Sequence, residues 1–325
     1  MTSDEHIVIV KDFFKWTAPN FCSGSVSMKL YRDTIGSDLN DNYPVDVSYC
    51  VKFCRYLLNH VENEENEIAD REELKEILYN KVGELYCSPK DDSVTASFKT
   101  YFLSSSHPEV SVSMRESRAM ISSGTTGLTS WTAGEFLSSW LDRNPDVVSG
   151  KTVLELGAGS GITGIFAVTR CSDIVKYIFT DCHVKVLDNL MFNVRNNLKH
   201  WNIINDTLDG LELMNNRTKV VVRDLDWITF SEDPDKVSDI VADVVLGADI
   251  VFDPELLPSL VLTIKILLSR SLNSLAVIAC CVRNSETFQT FENILESENL
   301  LTSKILLKED DKTPVYLLKI RMNEL

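Results

Sequence analysis

The chain has 325 residues, enough for one large domain or two small ones, and its 44% hydrophobic content is that of an ordinary globular protein with a sizeable core. Its 32 Lys and Arg against 48 Asp and Glu leave a net charge of −16, a field that repels a phosphate backbone and, a local basic patch aside, argues against a nucleic-acid substrate. The start MTSDEHIVIV lacks the basic flank and apolar core of a signal peptide, and the apolar run from Leu256 to Leu268 is broken by Lys265 and too short to span a bilayer, so a soluble, cytoplasmic protein is expected.

Residues 1–105 read as a separate, mainly helical module. From Val45 the apolar positions Tyr49, Cys50, Phe53, Cys54, Leu57 and Leu58 recur at helical spacing, with Pro44 placed for the first turn. A second helix, from Asp70 to Leu85, carries Leu74, Ile77, Leu78, Val82 and Leu85, and the acidic stretch from Glu62 to Glu67 connects the two. The module holds no catalytic constellation, and substrate recognition is the role open to it. The eight cysteines form no Cys-x-x-Cys pair and the five histidines have no ligand spacing with them, so buried reduced thiols are expected and no metal site.

Residues 106–325 form the second domain. Val110, Val112 and Met114 alternate before Arg115-Glu116-Ser117, which reads as the turn of a hairpin completed by Ala119 and Ile121. The stretch Ser123 to Trp131, SGTTGLTSW, is a shaped loop, and Trp131 reads either as core or as part of a site. Thr132-x-x-Glu135 has the pattern of a capping box before a helix with Ala133, Phe136, Leu137, Trp140 and Leu141 on one face.

Lys151 to Gly164, KTVLELGAGSGITG, is the stretch around which the rest is organised: a buried strand, a glycine turn and a helix start. Glycines let the backbone approach a ligand, and the N–H groups of a helix N-terminus favour an anion. Gly159-x-Gly161-x-x-Gly164 satisfies the dinucleotide fingerprint, with Asp181 about 20 residues on, where a ribose-binding acid is expected. A phosphate-cradling P-loop is excluded, since no Gly-Lys-Ser/Thr follows. Glu155, two residues before the first glycine, gives the spacing Glu-x-Gly-x-Gly-x-Gly, which resembles motif I of the seven-strand methyltransferases dependent on S-adenosylmethionine (SAM).

Further on, Lys176 to Asp181 is a short strand ending in an acid that suits a ribose and serves equally as the N-cap of the next helix, with Leu187, Leu190, Met191, Val194 and Leu198 on its apolar face. Residues 204–218 are polar and Asn-rich and read as loop. A third strand, Lys219 to Arg223, delivers Asp224-Leu-Asp226-Trp227 to the same edge, where an indole beside a carboxylate fits an adenine. A fourth, Ala242 to Ala248, ends in Asp249-Ile-Val-Phe252-Asp253-Pro254, with Asp253 placed to cap a helix and Asp249 at the carboxyl end of a central strand. A fifth, Ser274 to Val282, precedes Asn284 and a helix carrying Phe288, Phe291, Ile294 and Leu295. The runs Leu301 to Leu307 and Thr313 to Met322 add a terminal antiparallel pair, which completes an α/β, Rossmann-like seven-stranded sheet of the SAM-dependent methyltransferase type.

Taken together, GTTGLTSW, ELGAGSG, DLDW, GADIVFDP and VRNSETF, with a helical leader before them, resemble the eukaryotic elongation factor 2 lysine methyltransferases, within the class I protein-lysine methyltransferases. The class I likeness covers about 110–322. It implies a SAM-dependent protein-lysine N-methyltransferase with elongation factor 2 as protein substrate; a monomer is expected, and charge and hydropathy predict no nucleic-acid or membrane partner. Carried over residue by residue, it places Trp131, Gly157, Ala158, Gly159, Asp181, Trp227 and Ala248 at SAM; Glu155, Gly161 and Asp226 join them from the motifs themselves. Asp249 and Phe252 are the candidate catalytic positions. The family usually has Asp-x-x-Tyr after strand four, and Phe252 here offers an aromatic wall without the hydroxyl. The alternatives are a class I methyltransferase acting on another protein, nucleic acid or a small molecule, a nicotinamide-dependent enzyme, and a non-catalytic adaptor that keeps the pocket.

Overall fold

The computed structural model describes residues 3–18, 26–63, 70–87, 97–103, 110–117, 124–208, 210–310 and 312–323, and the chain divides into two compact units, Met1–Arg118 and Ala119–Leu325. The first contains α1 (Ser3–Phe14), α2 (Met28–Asp33), α3 (Asp38–Asn42), α4 (Val47–Asn63) and α5 (Arg71–Cys87), then β1 (Phe98–Phe102) and β2 (Ser111–Arg115). Its helices close on a core in which Phe13, Phe14, Phe53, Leu57, Leu74 and Leu78 are buried, the outcome expected of the apolar stripes on α4 and α5. Asp46 rather than Pro44 starts α4: its carboxyl accepts the Tyr49 N–H at 2.8 Å, while the Pro44 carbonyl accepts the Phe98 N–H at 2.9 Å.

The predicted hairpin is paired differently. β2 lies antiparallel to β1, with Val112 opposite Tyr101 and Met114 opposite Lys99, and Glu116 continues the ladder through its N–H to Ser97 instead of turning the chain. Ala119 and Ile121 fall outside the described residues. Because β2 pairs back onto β1, the division between units falls after Arg118 and not at the expected 105/106 boundary.

The second unit runs α6 (Thr132–Arg143), β3 (Thr152–Leu156), α7 (Ile162–Arg170), β4 (Lys176–Asp181), α8 (Val184–Asn197), β5 (Asn202–Thr207), β6 (Gly210–Met214), β7 (Lys219–Asp224), α9 (Trp227–Glu232), β8 (Val244–Ala248), α10 (Leu257–Ser269), β9 (Leu275–Cys281), α11 (Ser285–Ser297), β10 (Leu300–Lys308) and β11 (Val315–Met322). Among the described residues these strands make one sheet in the order β10-β11-β9-β8-β3-β4-β7-β6-β5. The five strands from β9 to β7 in that order are parallel, and β11 and β10 add antiparallel at one end, which is the expected seven-stranded Rossmann-like plan. The chain winds outward from β3 through β4 and β7, then returns to β3's other side as β8. This switch opens a crevice at the carboxyl ends of the strands.

Two further strands lie where a loop is expected. β6 pairs antiparallel with β7 and β5 with β6, and Gly210 fits because a Cβ there would stand 2.7 Å from the Val222 carbonyl oxygen. Leu211 and Leu213 are buried, but β5 is exposed along its whole length, so its polar residues give no alternation to read. Two caps also differ from expectation. Thr132 is the first residue of α6, after Trp131 at the N-cap. Asp253 caps only a turn, accepting the Glu255 N–H at 3.0 Å, and α10 begins later, at Leu257, with Leu256 at its N-cap.

Candidate functional site

A cavity of about 380 Å³, within the range of small-molecule sites, lies at the carboxyl edge of the sheet of the second unit. It is lined by Trp131, Glu155, Gly157, Ala158, Gly159, Asp181, Asp226, Trp227, Ala248, Asp249 and Phe252, all of them sequence-predicted site residues. Gly161 is not on its wall. It is the N-cap of α7 at φ 91°, and a Cβ there would meet Leu190 Cδ1 at 2.6 Å, so it serves helix packing.

The floor comes from the turn after β3. Gly159, at φ 55°, sits where a Cβ would come 3.3 Å from the Gly127 carbonyl oxygen, so the SGTTGLTSW loop rests directly on the glycine turn. Ser130 and Ser160 share a hydrogen bond of 2.6 Å across the same contact, and Trp131 donates its indole N–H to the Thr126 carbonyl at 3.2 Å, which anchors one edge of the ring. Opposite, Trp227 leans on the turn: its Cζ2 is 3.3 Å from the position of a Cβ on Gly157.

The helix N-terminus does not stay free for an anion, as the strand–glycine–helix pattern suggests. Glu155, 2% exposed, accepts from the Tyr177 hydroxyl at 2.8 Å, from the Thr163 hydroxyl and from the Gly164 N–H in the first turn of α7. The carboxyl thus satisfies donors that a bound phosphate would otherwise take. Burial pushes it up to about 7, against those hydrogen bonds. Burial and the neighbouring Glu155 hold the Tyr177 phenol well above its usual range.

Asp181, at the end of β4, is pinned by backbone donors: Oδ2 accepts the Gly159 N–H at 3.2 Å, and Oδ1 those of Cys182 and His183 at 2.9 and 3.3 Å. Burial raises its carboxyl despite these bonds. It does not cap α8, whose N-cap is His183. Asp226 does cap α9, accepting from Ile228 and Thr229, and so holds Trp227 at the first helical position. Cys182 lies on the same wall, its thiol pushed up to about 11 by burial and then by Asp181, Asp226 and Asp224.

Asp249 follows β8 in the left-handed region, at φ 56°, a conformation an L-residue keeps only when its surroundings hold it. Its N–H donates to Ala279, Oδ1 accepts the Cys281 N–H at 2.8 Å, and Oδ2 pairs with the Arg283 guanidinium at 3.0 Å. Its side chain is only 5% exposed. Phe252, 54% exposed, lies toward the open side of the cavity with an aromatic face.

Sequence reasoning did not single out Arg283, Cys182, His183 or Ile250. Cys182 and His183 follow an acid already placed at a strand end, which is a usable signal. Arg283 lies inside the motif VRNSETF, but its partners Asp249 and Trp131 come close to it only once β8 and β9 are in register.

A family model described as lysine methyltransferase matches residues 114–298. Protein-lysine N-methyltransferase EEF2KMT of Homo sapiens is 34% identical over 278 residues, covering 82% of this chain and 77% of that protein. Its counterpart in Mus musculus is 31% identical over 92% of this chain and 82% of that protein. Protein-lysine N-methyltransferase EFM3 of Chaetomium thermophilum is 31% identical over 66% of this chain and 62% of that protein. The carboxyl-edge cavity and these likenesses along most of its length lead to one assignment: the chain belongs to the lysine methyltransferase family.

Proposed function

We propose that the chain is a SAM-dependent protein-lysine N-methyltransferase whose substrate is eukaryotic elongation factor 2, acting in the cytoplasm. The observation that carries this reading is the composition of one cavity: Asp181, Asp226 and Asp249 together with Trp131, Trp227 and Phe252, and among its described lining residues no Lys or Arg. An acid-lined aromatic site suits a cationic sulfonium and an incoming ammonium. It suits a dinucleotide diphosphate poorly, because Glu155 already holds the donors at the start of α7.

The residues present fit SAM. Asp181 has lone pairs left for ribose hydroxyls, Asp226 lies beside the Trp227 indole where an adenine amino group and ring are served together, and Nδ1 of His183 on the same wall is buried with no hydrogen-bond partner among the described residues. When bound, SAM supplies a methyl group activated on sulfur. The chain's own part is to deliver the amine. A free lysine titrates at about 10.4, so its nitrogen attacks only after losing a proton. Phe252, Ile250 and Leu256 on the cavity wall disfavour the charged form, while Asp249, held by Cys281 and Arg283, orients the ammonium until water takes its proton. Alignment of the reacting atoms accounts for much of the remaining acceleration.

The described lining residues of the cavity belong to the second unit, and recognition of the protein substrate is the role proposed for the first, the region of α1 to α5. Two experiments test these assignments. Radiolabelled SAM is incubated with the protein and purified elongation factor 2 or eukaryotic cytosolic extract; label at the size of elongation factor 2 supports the reading, and labelled RNA or small molecules overturn it. Hydrogen exchange with and without elongation factor 2 locates the docking face; an unchanged first unit removes it from recognition.

A further inference from the structure

Arg283 stands just after β9, outside the described lining of the cavity, yet it engages two of the residues that form the wall. Its guanidinium carbon is 4.9 Å from the centroid of the Trp131 indole, and its NH2 nitrogen is 3.0 Å from Asp249 Oδ2. One planar cation therefore touches an aromatic face from the loop before α6 and a carboxylate from the turn after β8. The geometry points to Arg283 as the positioning residue that ties the cofactor wall to the amine-orienting acid, so that both are set together; this rests on the methyl-transfer reading of the cavity.

The physical case is one of what each partner lacks without it. The Asp249 side chain is 5% exposed and sits at a positive φ, so its second oxygen finds little water and keeps its direction through the charge-assisted bond to Arg283. Trp131 is fixed at its N–H by the Thr126 carbonyl, a single pivot that leaves the ring free to tilt; a guanidinium against its face removes that freedom. Arg283 itself is 46% exposed, so removing it opens no internal cavity and leaves the sheet untouched. Lysine keeps the charge but not the planar fork that stacks and pairs at once.

The test uses the full chain with Arg283→Met, which keeps length and loses charge, and Arg283→Lys. Trp131 is observed in the ligand-free protein by fluorine NMR after incorporation of 5-fluorotryptophan, its resonance assigned by its loss in Trp131→Phe. In Arg283→Met that resonance shifts and broadens, the thermal midpoint falls because the nearly buried Asp249 loses its counter-charge, the SAM dissociation constant rises about tenfold and kcat falls about tenfold. Arg283→Lys recovers part of each effect. An unmoved Trp131 resonance in Arg283→Met overturns the tie whatever the cavity binds, as do parental SAM affinity and kcat in that variant. A moved resonance in a chain whose parent binds no SAM leaves the tie standing and removes the methyl-transfer reading instead.

Discussion

Asp226 does two things with one carboxyl: it accepts the N–H groups of Ile228 and Thr229, at 2.7 and 3.4 Å, and it lines the cavity beside the indole that those bonds hold in place. Trp227 is correspondingly the wall residue whose loss is cleanest to read. Base–aromatic stacking is worth about 1–3 kcal/mol, so Trp227→Ala weakens SAM binding by roughly fivefold to a hundredfold in calorimetric titration. Trp227 also packs against the core under α10, so a ligand-free melt of the same variant separates lost stacking from lost stability. For Asp249→Asn, the NH2 that replaces one carboxylate oxygen faces a donor, either the Cys281 N–H or the Arg283 guanidinium; the expected result is kcat lower by about a hundredfold with SAM affinity within about fivefold of the parent. Parental turnover in that variant removes Asp249 from orienting the amine. At this scale the sequence is informative wherever a side chain ends a strand or follows it directly, as Asp181 and Asp249 do. It misleads for Gly161, because the fingerprint spacing does not say which glycines face a ligand and which face Leu190.

At the scale of elements, the junction of β3 and α7 holds a group whose ionisation differs between folded and unfolded chains. Glu155 is raised from 4.5 to about 7, so between those values the folded protein keeps a proton that the unfolded chain has released. Stability therefore falls as pH rises through that window and stays at the lower level above it. Glu155→Gln removes the dependence: urea unfolding at about pH 5.5 and about pH 8.5 shows the parent losing roughly 2 kcal/mol more than the variant. Equal losses remove Glu155 as the cause. Nearby, Gly161→Ala strains a left-handed position and drives a Cβ into Leu190, which costs about 1–3 kcal/mol in the same assay. The parallel strands and their helices are legible because each is a short apolar run or a stripe of period 3.6. β5 is not, since an edge strand exposed on both faces carries no hydrophobic signal, and neither is the β1–β2 pairing, where residues outside the described set separate the partners.

For the whole molecule the governing quantity is the charge of −16. An acidic enzyme attracts basic surface on its substrate and that attraction is screened by salt, so kcat/KM for a basic protein substrate falls severalfold from about 50 to about 300 mM salt, while SAM affinity, set inside the cavity, changes little. A salt-independent kcat/KM places recognition in uncharged contacts. A helical leader before an alternating strand–helix pattern is visible in the sequence, but the division after Arg118 is not, because β2 pairs back onto β1 from beyond the expected boundary.

The cavity wall also carries a handle for chemistry of another kind. Cys182 is exposed, but partial burial and then three neighbouring carboxylates hold its sulfur in the protonated form at neutral pH. Ordinary alkylating reagents such as iodoacetamide will therefore react with it slowly at neutral pH, whereas an electrophile built onto a cationic adenosine analogue would be drawn in by the same acids. On the proposed function, the acidity that favours a cationic methyl donor also slows general reagents at this exposed thiol, so a reagent shaped like the donor would gain most there.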